Sequence, residues 1–305
     1  MSDIVMWSYD ASPFTQKALG VLGIKNLAWR WVETPMLPPK DDLLALTGGY
    51  RGTPVMQIGA DVYIDSQLIA AELERRFPAP TLFPCGDQGL AFMLVKWSDA
   101  FFRTGLAITI ELTAAQWPEP FIEDRKRLFP DLDWNAALAD SSHARSQFRV
   151  HAGLLDRQLA DGRNFLTGDA PGLADIQAHV FVWMARAYFT EASNTLLGEF
   201  SNVSAWEKRV QRIGEGKRTA IPAVDAFARA RAARSIPGAG VDPRDPLALT
   251  AGDRVTVTPD DTKRGGVNGE LVTLQWNEVA LRQRDERCGE VLVHFPRMGY
   301  RVTRV

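Results

Sequence analysis

The spacing of apolar residues changes twice along this chain, and no single layer architecture accommodates all three spacings. From residue 254 to 305 they alternate: RVTVT (254–258), ELVTLQW (270–276), VALRQR (279–284), EVLVHF (290–295) and YRVTRV (300–305). Alternation puts successive side chains on opposite faces, so each run predicts a strand, and the turns between them contain Gly, Asp or Pro. Five short strands in series predict a small β-barrel-like domain over 245–305. Between 89 and 189 the spacing is helical, with helices predicted over 89–115, 141–160 and 173–189. Trp97, Phe101, Leu106 and Ile110 form the apolar stripe of the first.

Before residue 80 the two periods interleave. DIVMW (3–7) predicts a buried strand, Ser12-Pro13 a helix start, AWRWVE (28–33) a second strand, and KDDLLALT (40–47) a short helix stopped by Gly48-Gly49. PVMQI (54–58) and VYI (62–64) read as a hairpin, and a helix runs from Ser66 to about Arg76, ending before Pro78 and Pro80. Strand, helix, strand, helix, hairpin, helix predicts a four-stranded mixed sheet covered by helices over 1–80. The helical part extends over 89–234. Within it, 116–140, with Trp117, Pro118, Pro120 and Pro130, reads as an irregular excursion, and the basic stretch 205–234 as a solvated helical face. Pro237–Gly240 and Pro243–Pro246 make a linker.

Charge excludes several partners. The formal net charge is −2, and ten Lys/Arg balance ten Asp/Glu after residue 240, so no electrostatic footprint for nucleic acid or an anionic membrane is present. No apolar run is long enough to span a bilayer, and Met1-Ser2-Asp3 lacks the basic start of a secretory signal. Cys85 and Cys288 lie far apart, with no histidine at metal-ligand spacing, which predicts neither a disulfide framework nor a metal site. A reducing cytoplasm is the expected location.

Three segments carry chemistry. Ser12-Pro13-Phe14-Thr15 opens a helix, whose unpaired N–H groups attract an anion. A dithiol enzyme would place cysteines at 12 and 15; with hydroxyls there, the site holds another molecule's thiolate instead. Thr53-Pro54 opens a strand, where a cis bond would leave the preceding backbone free to pair with an extended peptide; an ordinary trans proline is the alternative. Asp65-Ser66 opens the next helix and suits an α-amino acid head, the acid taking the ammonium and the helix end the carboxylate. A plain helix cap is the other reading.

In order and spacing these segments resemble the cytosolic glutathione transferase superfamily over about 3–232. The matching stretches are ASPFTQKALGVLG (11–23), RGTPVMQIG (51–59) and IDSQLIAAELERRFP (64–78), with LTGDAPGLADIQAH (166–179) similar to the family's buried-helix signature. The resemblance implies an α/β thioredoxin-like domain and an all-α helical domain (the glutathione transferase fold), here followed by the β-barrel-like domain. It implies a homodimer that binds glutathione as cosubstrate, without other cofactor or metal, and activates its thiolate for attack on a small, apolar electrophile. Ser12 matches the serine that donates to the glutathione sulfur in serine-type classes, and Tyr9 is the fallback. Thr53, before a presumed cis Pro54, would bind the cysteinyl backbone, and Asp65 and Ser66 the γ-glutamyl end. Gly52 stands where the family often has lysine, with Arg51 as substitute for the glycyl carboxylate. Gly172 replaces the family's Ser or Thr ahead of Asp175, leaving half a capping box.

The energetics suffice without a metal. Lowering a thiol pKa from about 8.5 by about two units needs roughly 2.7 kcal/mol. A hydrogen bond to the thiolate contributes about 1.5–3 kcal/mol and a helix terminus about 0.3–1. The electrophile pocket is expected between the first two domains, with Trp97, Phe101 and Phe102 as candidates, although aromatic residues at helical spacing also build cores. The alternative to catalysis is a glutathione- or ligand-binding interaction protein on the same fold.

Overall fold

The computed structural model describes residues 4–189, 191–261 and 265–305; Asp3 of the predicted first strand lies outside them. The first elements follow the apolar spacing: β1 (Ile4–Ser8), α1 (Pro13–Ile24), β2 (Ala28–Glu33), α2 (Asp41–Thr47), β3 (Val55–Ile58), β4 (Asp61–Ile64) and α3 (Ser66–Arg76). Every residue of β1, β3 and β4 is buried, hence their near-continuous apolar runs. Gly48 ends α2 at φ 70°, left-handed backbone that glycine adopts without a Cβ penalty.

The helices that follow are α4 (Gln88–Thr113), α5 (Glu119–Leu128), α6 (Trp134–Ala139), α7 (Ser141–Gln158), α8 (Leu173–Tyr188), α9 (Glu191–Leu197) and α10 (Ser201–Gln211). The predicted irregular excursion over 116–140 is therefore helical for much of its length. Its prolines start a helix rather than break one: Pro118 is the extended N-cap of α5 and Pro120 sits in its first turn. Asp133 caps α6, accepting from the Ala136 N–H at 2.9 Å. The basic stretch is not one helical face either. It contains the strand β5 (Lys217–Ala220) between α10 and α11 (Ala223–Ala232).

The C-terminal strands are β6 (Gly240–Val241), β7 (Arg254–Pro259), β8 (Val267–Leu274), β9 (Glu278–Asp285), β10 (Gly289–Pro296) and β11 (Tyr300–Arg304). They join one sheet with the first four, in the order β11-β7-β8-β9-β10-β4-β3-β1-β2-β5, with β6 against β8. β10 runs parallel to β4, pairing Leu292 with Asp61 and His294 with Tyr63.

Packing divides the chain into two compact units whose boundaries cut across sequence order: Met1–Thr15, Ala28–Glu72 and Lys217–Val305 form one, Gln16–Leu27 and Leu73–Gly216 the other. In the first unit a single core holds Val5, Trp7, Val55 and Ile64 together with Val255, Leu271, Val291 and Phe295. His294 of β10 lies buried in this unit between carboxylates, Nδ1 2.6 Å from Glu278 Oε1 and Nε2 3.1 Å from Asp61 Oδ1. Its ring stacks on Tyr63 at 4.5 Å. Burial pulls its pKa down, but the Asp61 and Glu278 carboxylates outweigh that and hold it above the ordinary histidine value.

In the second unit, Phe101 of α4 is buried against Phe148, Phe181 and His151, with ring centroids 5.6, 4.1 and 4.7 Å away. Trp97 stacks on Phe101, and Phe102 lies 6.0 Å from Phe129. Phe101 is core. Asp175 of α8 is buried and accepts from Leu166 N at 2.8 Å, Gly172 N at 3.0 Å and Trp206 Nε1 at 2.8 Å. Burial pushes its carboxyl up against these three donors. The glycine at 172 has a local cause: a Cβ there would lie 3.0 Å from both Leu82 O and Pro84 Cδ.

Candidate functional site

The predicted site segments meet through strand register. Trp7 of β1 pairs with Val55 of β3, and Val55 with Ile64 of β4. This row is the last across the three strands at one end of the sheet. Tyr9 and Ser12 follow β1 there, Arg51, Thr53 and Pro54 precede β3, and Asp65 and Ser66 follow β4.

Ser12 is the N-cap of α1. Its N–H donates to Tyr9 O at 3.2 Å, closing a turn, and its Oγ accepts from Thr15 N at 3.2 Å. A hydroxyl carries one donor and two acceptor positions, so this cap does not use the Ser12 proton. Ser12 is 2% exposed, whereas Tyr9 is half-buried. Asp10, in the same turn, ion-pairs with Arg218 at 2.6 Å. Sequence reading gave no role to Lys40, which is buried with its Nζ 5.3 Å from the Tyr9 ring centroid. Lys40 also lines a cavity of about 240 Å³ with Trp7, Glu33, Thr34 and Pro39.

The Thr53–Pro54 bond is cis. Because the β1–β3 ladder ends at Val55, the Thr53 backbone lies outside it. Gly52, where the family often has lysine, has a steric cause. A Cβ there would fall 2.4 Å from the Tyr50 hydroxyl and 2.5 Å from its Cζ. Tyr50 is buried, its ring edge-on to Phe295 at 6.3 Å and its Oη 3.3 Å from Tyr300 Oη. Arg51 is half-buried beside it.

Asp65 sits at φ 77°, a left-handed conformation that Asp and Asn tolerate better than most residues. Its Oδ1 accepts from Gln67 N at 3.0 Å and its Oδ2 from Tyr300 Oη at 3.1 Å. Ser66, the first residue of α3, is buried. Tyr300 belongs to the C-terminal strands, so the sequence carried no signal that it reaches Asp65. Both cysteines are free thiols, and burial pushes the Cys288 thiol up to about 11, which leaves it unreactive.

Known proteins bear on this arrangement. Residues 6–81 match the glutathione S-transferase N-terminal domain and residues 123–209 its C-terminal domain. A GST-like protein from Pseudomonas syringae is 32% identical over 100% of both chains, with a TM-score of 0.81. The alignment therefore includes the C-terminal strands. A glutathione S-transferase from Rhodospirillum rubrum is 21% identical over 68% of this chain and 87% of its own, with a TM-score of 0.51. A theta class glutathione S-transferase from Xanthomonas axonopodis pv. citri, solved with glutathione bound, is 20% identical over 70% and 98%, with a TM-score of 0.50. These last two share the fold. No curated protein matches the chain. With both domain models matched and a full-length relative at this identity, the chain belongs to the glutathione S-transferase family.

Proposed function

We propose that this protein is a glutathione transferase, binding glutathione at the sheet end beyond the Trp7–Val55–Ile64 row and activating its thiol for attack on a small electrophile. The observation that carries the reading is the register that gathers Ser12, Thr53, Asp65 and Ser66 at that end. The Asp65 carboxylate takes the γ-glutamyl ammonium, the α3 N-terminus at Ser66 its carboxylate, and Thr53 the cysteinyl backbone. Arg51 faces the glycyl end. The thiolate then lies at the start of α1, stabilised by the helix terminus and the Ser12 hydroxyl. The carbon–sulfur bond forms as the bond from that carbon to its leaving group breaks, the leaving group departs with the electron pair, and the thiol proton passes to solvent.

A non-catalytic glutathione-binding reading draws on the burial of Ser12, and activation by Tyr9 on its greater exposure. Substitution separates them. Ser12→Ala is expected to raise the bound thiol's pKa by roughly one to two units and to lower turnover, while neutral-glutathione affinity changes much less. Loss of the N-cap adds a stability cost of about 1 kcal/mol, so titration belongs well below the melting temperature. Spectroscopic titration of bound thiolate is the measurement. Titration and turnover intact in Ser12→Ala but abolished in Tyr9→Phe would reassign the role to Tyr9. No effect of either, with no electrophile consumed, would favour binding without catalysis.

The same reading makes the protein a cytoplasmic homodimer. Among the described residues no helix is long and apolar enough to cross a membrane. The β4 edge is already filled by β10 of the same chain, so a dimer must form without strand addition there. Sedimentation at micromolar concentration is expected to give the dimer mass; a monomer alone would refute the assignment.

A further inference from the structure

We propose that Tyr300 of the C-terminal β strands is a positioning residue of the γ-glutamyl subsite, holding the Asp65 carboxylate in the orientation that receives the ammonium. The proposal rests on the glutathione reading above and extends it to the appended strands.

The geometry is specific. Tyr300 is 7% exposed and donates from Oη to Asp65 Oδ2 at 3.1 Å, while Gln67 N holds the other oxygen at 3.0 Å. With one bond to each oxygen, the two donors fix the plane of the carboxylate. The preceding turn adds a second tie, because Gln67 Nε2 donates to Met298 O at 3.0 Å. Behind Tyr300, its ring lies 5.8 Å from Phe295 and its hydroxyl 3.3 Å from that of Tyr50. The first turn of α3 is thus gripped by the β10–β11 turn at the residue proposed to meet the substrate. Phe295 also packs edge-on against the Tyr50 ring that excludes a side chain at position 52. The C-terminal strands thereby act on both the γ-glutamyl and the glycyl flanks of the subsite.

A preorganised acceptor binds more tightly than one that must be ordered by its ligand. Tyr300→Phe removes the hydroxyl, with its bonds to Asp65 and Tyr50, and keeps the ring packing that leaves Tyr50 against Phe295. The test is calorimetry on the full chain, wild type and Tyr300→Phe, with glutathione and with glutaryl-cysteinylglycine, the same tripeptide without the α-ammonium. The variant is expected to raise the dissociation constant of glutathione about five- to tenfold and to change that of the analogue by less than about twofold. A purely structural role would weaken both ligands alike. An equal loss for both, or no loss for glutathione, overturns this proposal alone. Absence of glutathione binding by the wild-type chain overturns the glutathione reading and this proposal with it.

Discussion

Asp65→Asn is expected to weaken glutathione binding by about 2–3 kcal/mol, and Asp65→Ala by about 2–5 kcal/mol. Both substitutions remove the charge proposed to pair with the γ-glutamyl ammonium, and the cost of leaving that ammonium unpaired sets the scale. They differ in what else they disturb. Asparagine tolerates the left-handed backbone at φ 77° and can still accept from Gln67 N–H. Alanine does neither, so besides the binding loss about 1–2 kcal/mol of local strain lowers its folding stability. Calorimetric titration, with a thermal melt of each variant, separates the two costs. A dissociation constant unchanged in Asp65→Asn would remove Asp65 from the binding site.

In the helical unit the largest effect is expected at Asp175. Asp175→Ala should destabilise by about 3–5 kcal/mol, because the N–H groups of Leu166, Gly172 and Trp206 all lose their acceptor in a buried setting. Release of a carboxyl already pushed up by burial returns part of that cost, which keeps the estimate below the sum of three orphaned donors. Asp175→Asn should cost less. Its one carbonyl oxygen can still serve Leu166 and Trp206, while its amide faces the Gly172 N–H as a second donor. The expected order in chemical denaturation is wild type, then Asn, then Ala. A loss below about 1 kcal/mol for Ala would mean that water replaces the cap. Glutathione affinity of the folded fraction should stay constant in both variants, which distinguishes this structural role from that of Asp65.

The local elements were legible wherever the cause is local. Apolar period located β1–β4, α3, α4, α7, α8 and β7–β11, the Ser12-Pro13 cap located the start of α1, and Gly48 marked the end of α2, whereas β6 falls at the predicted linker. Two signals misled. Pro118 and Pro120 read as breakers because proline interrupts a helix interior, yet at a helix start its missing N–H costs nothing. Lys217–Ala220 offered only one apolar residue and gave no strand signal. It forms β5 by pairing parallel to β2, an edge position where Lys217 is exposed and Arg218 lies over the Trp31 ring and pairs with Asp10.

The sequence by itself determined the three candidate site segments, the family they resemble and the residue types proposed for each subsite. Those depend on neighbours a few positions apart: a cap, a strand-opening proline, an acid before a helix. Only the tertiary structure decided that β10 continues the sheet at β4, that Tyr50 occupies the space above Gly52, and that Tyr300 reaches Asp65. Residues 235 positions apart share no local period, so their contact is set by which sheet edge the C-terminal strands cover and by the core they bury with it.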